Sequence, residues 1–275
     1  MSRPAPGSVM RGRVLICAGS DSGGGAGLQA DIKTVTALAG FAATAVTALT
    51  AQNTRGVFGI HEVPAEFLTR QMQVVLDDIG ADCIKTGMLH SAVVIETVAS
   101  ALDRYAADVP LVMDPVMVAK GGHRLLDASA LDTLRQVLLP RARLVTPNIP
   151  EAEDLTGLSI GGVDDMRRAA GTILELGASA VLVKGGHLPG DNLVDLLATA
   201  DGMRRFESRR IHTRHTHGTG CSLASAIAAS LAQGLELEAA IMRARRYVEQ
   251  AIRTAPGIGQ GHGPLNHAHP VAVQQ

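Results

Sequence analysis

The sequence predicts an α/β fold in three layers, with a mostly parallel, doubly wound sheet between two sets of helices and a small edge hairpin. Three observations predict it. Short apolar runs alternate with segments whose apolar residues recur at helical spacing, and strands separated by helices run parallel because a crossover is needed to return the chain. Glycine-rich stretches follow several of the runs, where loops at the carboxyl edge of such a sheet would lie. The 275 residues are 46% hydrophobic and 19% charged, enough apolar surface for a large core and too little charge for disorder.

Val14 to Ala18 is a compact apolar run followed by glycines, which reads as a buried strand ending in a tight loop. From Leu28, the residues Ile32, Val35 and Leu38 recur at helical spacing, and Gly40 stands where a C-terminal cap would. Residues 41–50, rich in Val, Thr and Ala, form the second strand, with a loop over 50–56. The pattern then predicts a helix over 64–79, a strand over 82–86, a helix over 91–105 and a strand over 111–113. Beyond these come a helix at 127–139, a strand at 143–146, helices at 151–155 and 164–176, and a strand at 180–184. Residues 191–198 and 203–213 read as an edge pair before two final helices, 219–233 and 236–254. Residues 1–13 read as a flexible tail, leaving 14–275 as a single domain.

Composition excludes several classes of function. A net charge of -1 offers no field to draw nucleic acid or an anionic membrane to the surface, and 2% aromatics without Trp cannot stack single-stranded bases. Cys17, Cys83 and Cys221 form no C-x-x-C pair, as expected of thiols kept reduced in a cytoplasmic protein. The first apolar run is too short for a signal core or a membrane span. His262, His267 and His269 fit no common metal spacing and read as structural.

The glycine loops are the candidates for chemistry. Gly25-Ala26-Gly27-Leu28-Gln29-Ala30 follows a strand and opens a helix, as a dinucleotide fingerprint does, but no acidic residue closes the second strand at Leu49-Thr50-Ala51-Gln52. Asp21-Ser22-Gly23-Gly24 is a serine-protease-like tetrapeptide with no partners for a triad. Gly218-Thr219-Gly220-Cys221 precedes a helix of small residues. Its free N–H groups and positive dipole end make an anion site, with a plain N-cap turn as the alternative.

No Gly-Lys-Ser/Thr occurs, so phosphoryl transfer would need a metal, cations and N–H groups arranged differently from the ordinary nucleotide loop. Lys184 ending a strand, Asp114 beginning a turn and Asn148-x-x-Glu151 supply those parts. A carboxylate there could hold magnesium directly or through water. Taken singly, Asp114 reads equally as a turn former and Glu151 as a helix N-terminal charge. Cys221 at a helix N-terminus is expected to be driven toward thiolate, able to take a proton from or touch a reacting hydroxyl, or else to be a small buried hydrophobe.

Eight motifs, in order along nearly the whole chain, carry a resemblance: residues 18–31, 47–54, 85–89, 114–120, 146–153, 183–187, 216–221 and 261–267. Through them the chain resembles the hydroxymethylpyrimidine/phosphomethylpyrimidine kinases of thiamine biosynthesis, a branch of the ribokinase-like superfamily. The resemblance implies a substrate pocket formed by Gly19, Asp31, Gln52, Met88 and Val116. Gln52 would show a donor beside an acceptor to an aminopyrimidine, and Asp31 would fix the other polar edge. It implies Asp114, Asn148, Lys184, Thr219 and Gly220 around the nucleotide phosphates, with Glu151 and Asp114 organising Mg2+. Catalysis would fall to Cys221, Lys184 and the N–H groups of Gly218, Thr219 and Gly220. Cys221 stands where the wider superfamily has an aspartate base, which narrows the subgroup to pyrimidine and some pyridoxal kinases. ATP and Mg2+ are the implied cofactors, with room for a monovalent cation, and the implied assembly is a homodimer.

The expected reaction is phosphorylation of 4-amino-5-hydroxymethyl-2-methylpyrimidine to its monophosphate and then to the diphosphate. The nearest rival is a pyridoxal kinase with the same machinery. From other classes come a nicotinamide oxidoreductase and a catalytically silent ligand sensor, which would not need the phosphate and metal groups intact.

Overall fold

The structure is a computed structural model, and it describes residues 11–119, 121–127 and 129–271. The tail through residue 10 and Lys120 of the fourth motif lie outside the described residues. Nine strands form one sheet in the order β3-β2-β1-β4-β5-β6-β7-β8-β9. They are β1 (Arg13–Asp21), β2 (Phe41–Asn53), β3 (Gly56–Glu62), β4 (Cys83–Thr86), β5 (Leu111–Met113), β6 (Leu144–Val145), β7 (Ala180–Val183), β8 (Asn192–Thr199) and β9 (Gly202–Arg209). From β2 to β7 every neighbouring pair is parallel. β3 and β8 run antiparallel to β2 and β7, and β9 closes the expected edge pair on β8. This is the predicted mostly parallel, doubly wound sheet.

Eight α-helices flank it: α1 (Gly27–Ala37), α2 (Ala65–Asp78), α3 (Ala92–Tyr105), α4 (Ala130–Thr133), α5 (Ile149–Thr156), α6 (Val163–Glu175), α7 (Thr219–Ala232) and α8 (Leu237–Arg253). On one face Leu15, Ile84 and Met113 of the sheet pack with Met72 of α2, Val98 of α3 and Ile173 of α6. On the other, Val14, Ile16 and Val112 pack with Val35 of α1, Ile227 of α7 and Ile241 of α8. Alternate residues of one strand thus feed two cores, because a strand's side chains point to opposite faces. β4 and β7 are buried along their whole length, and β7, Ala-Val-Leu-Val, accordingly reads as a continuous apolar run.

Several boundaries differ from the sequence reading. Arg13 belongs to β1 and bonds Asp82 through its backbone and its guanidinium, so the ordered chain begins before residue 14. β1 continues through Gly19 to Asp21, which places Gly19 in a strand and confines the turn to residues 22–26. Gly40 is not the left-handed cap of α1: Ala39 adopts φ 62, and Gly40 is required because a Cβ there would lie 2.8 Å from Val35 Cγ1. The helix expected over 127–139 starts at α4, opens into a π-helical turn over Leu134–Leu138 and tightens at Leu139–Arg141 around Pro140, where proline cannot donate a helical hydrogen bond.

The largest revision concerns residues 50–62. In place of a loop over 50–56, β2 runs to Asn53 and turns into β3, which pairs back along it. Gln52 is therefore held on a strand, with its backbone N–H donating to Ser22 Oγ at 2.8 Å.

Candidate active site

The parallel strands end on a common edge, and a cavity of about 1030 Å³ opens above it. This is where ligands collect in open α/β sheets. On the β2 and β1 side its wall includes Gln52, Gly19, Met88 and Val116; on the β6 and β7 side it includes Asn148, Glu151 and Lys184, with Asp114 between and Gly218 to Cys221 above. All the residues singled out from the sequence therefore meet in one place except Asp31.

The first turn of α7 forms part of that wall. Gly218, before the helix, has φ 81, and no side chain caps the helix. A Cβ on Gly218 would lie 1.9 Å from the Gly25 carbonyl oxygen, so only glycine lets the two glycine loops touch. The unbonded N–H groups of a first helical turn lie along the axis and carry its positive end. Here the Thr219 N–H turns back to the Thr216 carbonyl at 3.3 Å, while Gly220 and Cys221 line the same space as Lys184 and Asp114; a Cβ on Gly220 would fall 3.2 Å from Lys184 Nζ and 3.6 Å from Asp114 Oδ2.

Lys184 joins the charged groups. Its Nζ donates to Asp114 Oδ1 at 3.0 Å and lies 3.9 Å from Glu151 Oε2. Burial works against its charge, but the two carboxylates more than compensate and hold it above the ordinary lysine range. Thr146 Oγ1 donates to the same Asp114 oxygen at 3.1 Å. Glu151 closes a capping box on α5: the Asn148 side chain accepts from the Glu151 N–H at 3.0 Å, and Glu151 Oε2 accepts from the Asn148 N–H at 2.8 Å. Asn-x-x-Glu is thus a helix start and a site motif at once.

Burial raises the Glu151 carboxyl to about 7, with Lys184 pulling it down and Asp114 pushing it up. Its ordinary value is 4.5, so the folded state keeps a proton that the unfolded state loses between those two values. The stability this contributes is complete below about pH 4.5 and is lost as pH rises through about 7. Glu151→Gln has no such loss. Urea unfolding should show the variant gaining on the wild type by on the order of 3 kcal/mol between about pH 5 and about pH 8. A constant difference across that range would mean that Glu151 titrates normally.

Among the described residues no group of three or more His, Cys, Asp and Glu side chains is placed to hold a metal by itself. Asp114 and Glu151 nonetheless fit Mg2+, which is held by one or two carboxylates together with water and substrate phosphates.

Two expectations need correction. Asp31 does not border the cavity. It is fully buried on α1, where its Oδ2 accepts from Lys85 Nζ at 2.7 Å and its Oδ1 accepts from Ser225 Oγ at 2.7 Å. Cys221 is not shifted toward thiolate. Burial pushes its thiol up to about 12, with Asp31 and Asp114 acting in the same direction, against the downward pull of Lys85. His267 is buried against Ser222 Oγ at 2.9 Å, and burial lowers it to about 4, in keeping with a structural role.

Among the wall residues that escaped the sequence reading are Lys85, Asp21 and His217. Lys85 is a fully buried charge inside apolar β4, and a lone lysine in such a run is itself a signal of a buried partner. Asp21 accepts from the N–H groups of Gly23, Gly25 and Ala26 at 2.8, 3.1 and 2.8 Å, and His217 Nε2 lies 2.9 Å from its Oδ2. Burial opposes ionisation of Asp21, but His217 and the backbone donors together hold the carboxyl below its ordinary value.

Comparison with known proteins agrees with this geometry. A family model described as phosphomethylpyrimidine kinase matches residues 21–266. The chain is 46% identical over 256 residues to the hydroxymethylpyrimidine/phosphomethylpyrimidine kinase of Bacillus subtilis, covering 93% of this chain and 94% of that protein. It is 55% identical over 257 residues to the thiamine biosynthesis bifunctional protein ThiED of Geobacter sulfurreducens, covering 94% of this chain but spanning only 52% of that protein. Among solved structures, an ADP complex of Bacillus subtilis pyridoxal kinase superposes with a TM-score of 0.87 at 36% identity, covering 94% of this chain and 98% of the other. By sequence over nearly its whole length, and by fold, the chain belongs to the phosphomethylpyrimidine kinase family.

Proposed function

We propose that the protein transfers the γ-phosphoryl group of ATP to the hydroxymethyl oxygen of 4-amino-5-hydroxymethyl-2-methylpyrimidine. It then phosphorylates the monophosphate to the diphosphate in the same pocket, in thiamine biosynthesis. One observation carries the reading: the open first turn of α7 shares a cavity with Lys184, Asp114 and Glu151 on one side and with Gln52, Met88 and Val116 on the other.

The hydroxymethyl oxygen attacks the γ-phosphorus as the bond to the bridging oxygen of ADP breaks. The amides of Gly218, Thr219, Gly220 and Cys221 meet charge developing on the transferred oxygens, and Lys184 meets the phosphates. Asp114 and Glu151, with Asn148 beside them, would hold Mg2+ directly or through water, and the bound metal would neutralise phosphate charge. In a loose transition state the hydroxyl keeps its proton until the new bond is well advanced. A thiol near 12 is protonated at neutral pH. Cys221 therefore contacts the hydroxyl, and the proton passes to a phosphoryl oxygen.

Gly19, Met88, Val116 and Gln52 form the pyrimidine side. Met88 is held by its own carbonyl, which accepts from Thr47 Oγ1 at 2.7 Å. Buried, unpaired Cys17 and Cys83 support a cytoplasmic setting. The open β3 edge, with Phe58 72% exposed on it and Leu49 of the adjoining β2 49% exposed, supports a homodimer.

The pyridoxal kinase reading rests on the structural match at 36% identity and is weaker than the relatives at 46% and 55%, whose names give thiamine chemistry. Incubation with ATP and Mg2+ and each of the pyrimidine, pyridoxal and thiazole alcohols, followed by mass spectrometry, should yield pyrimidine monophosphate and then diphosphate. A large single-turnover preference for pyridoxal would reverse the assignment. Monophosphate as the sole product after long incubation would remove the second step.

A further inference from the structure

The hydrogen bonds around Gln52 contain a conflict whose resolution concerns substrate choice. The Gln52 amide nitrogen faces His217 Nε2 at 3.3 Å, while its oxygen faces Thr50 Oγ1 at 3.2 Å. The same His217 nitrogen lies 2.9 Å from Asp21 Oδ2. Asp21 already collects three backbone N–H groups, so it is a carboxylate and can only accept. His217 Nε2 must then carry hydrogen, in the neutral ring or the imidazolium alike. The remaining tautomer would set a lone pair against the carboxylate.

A protonated Nε2 cannot accept from the Gln52 amide nitrogen, so that contact sets donor against donor. The Thr50 hydroxyl is committed as well, donating to the Ser20 carbonyl at 2.8 Å, and has no second hydrogen for the Gln52 oxygen. Half a turn of the amide about its last torsion removes both conflicts. The oxygen then shares the single His217 Nε2 hydrogen with Asp21 Oδ2 in a three-centre bond, and the nitrogen donates to the free lone pair of Thr50 Oγ1.

We propose that the Asp21–His217 pair is a specificity-determining element that locks Gln52 with its carbonyl oxygen toward His217 and its amino group toward Thr50. This rests on the pyrimidine reading above. One lone pair and one N–H of the amide remain for a ligand, in fixed order. A 4-aminopyrimidine edge shows an N–H donor beside the N3 acceptor and matches that order in one orientation, with its amino group on the His217 side. The hydroxymethyl group sits on the carbon next to the amino-bearing carbon. It is therefore turned toward the chain that follows His217, namely Gly218 to Cys221. The 4-oxo analogue carries a carbonyl beside an N3–H and reverses the order, so it can pair only if it turns over and takes its hydroxymethyl group away from that turn. Asp21 and His217 act here as positioning residues, through Gln52.

Two measurements test this. Long-range proton–nitrogen correlation spectra of the full chain, uniformly labelled with 15N, should show His217 hydrogen on Nε2. A ring carrying hydrogen on Nδ1 alone would overturn the locking scheme, whatever the enzyme's substrate. The second compares kcat/KM for the 4-amino and 4-oxo alcohols. The wild type should favour the amino compound by about a hundredfold or more. Asp21→Asn no longer demands a donor from His217 and frees the amide to turn, so it should narrow that ratio about tenfold, whereas general damage lowers both rates together. A folded Asp21→Asn enzyme with an unchanged ratio would refute the role in specificity. If the variant does not fold, the wild-type preference and the tautomer decide. Activity on neither alcohol would count against the proposed function while leaving the locking scheme to the spectra.

Discussion

Gly218→Ala should lower kcat about a hundredfold or more at saturating ATP, a larger fall than its neighbour gives. The new Cβ would lie 1.9 Å from the Gly25 carbonyl oxygen, at a residue with φ 81, where a side chain is strained even without the clash. Gly25 is held in place by the N–H groups of Gly25 and Ala26, which donate to the buried Asp21 carboxylate at 3.1 and 2.8 Å. The start of α7 must therefore move, and the amides that meet the transferred phosphoryl group move with it. Displacement of about 1 Å in such donors is enough for a loss of this size. Gly220→Ala meets only the end of the Lys184 side chain, at 3.2 Å, which can shift, and should cost about tenfold. Steady-state kinetics of both variants, with nucleotide affinity measured alongside, checks the order. Wild-type kcat in Gly218→Ala would show that these amides do not handle the phosphoryl group.

Features that depend on neighbours in sequence were legible in it. The central strands announce themselves as apolar runs because both their faces are buried, and Asn148-x-x-Glu151 and Gly218-Thr219-Gly220 mark helix starts through local backbone needs. β3 was not legible. Gly56-Val57-Phe58-Gly59-Ile60-His61-Glu62 is an edge strand with half-buried and exposed residues, so it lacks the buried run that identifies an inner strand. The state of Cys221 was hidden because the groups that set it, Lys85, Asp31 and Asp114, come from distant parts of the chain. Asp31 is different, since its burial could have been read. It lies three residues after Leu28 and four before Val35, on the buried stripe of α1. Family likeness placed it in the pocket, and helical spacing pointed inward.

Lys85→Met should destabilise the protein by about 3–5 kcal/mol, the largest stability loss expected for a single side chain here. Lys85 and Asp31 are both fully inaccessible, with 2.7 Å between Nζ and Oδ2. Asp31 loses its cation partner and, among the described residues, keeps the Ser225 hydroxyl, so a buried carboxylate must either stay charged in an apolar setting or take up a proton. Burial, with Asp114 pushing the same way, already raises the Asp31 carboxyl against the opposing pull of Lys85 and Ser225. Adding Asp31→Asn to Lys85→Met removes the stranded charge while leaving Ser225 Oγ an oxygen to bond, and most of the lost stability should return. Urea unfolding of the two single variants and the double variant gives the coupling between the residues. Equal losses in the single and double variants would mean that the ion pair is not what the interior depends on. The same proteins separate architecture from binding. If the Asp31–Lys85 pair is architectural and does not touch the substrate, the double variant should recover stability while its KM for the pyrimidine alcohol stays within about threefold of the wild type. A much larger rise in KM in a stable double variant would place the pair, and not only the fold, in substrate binding.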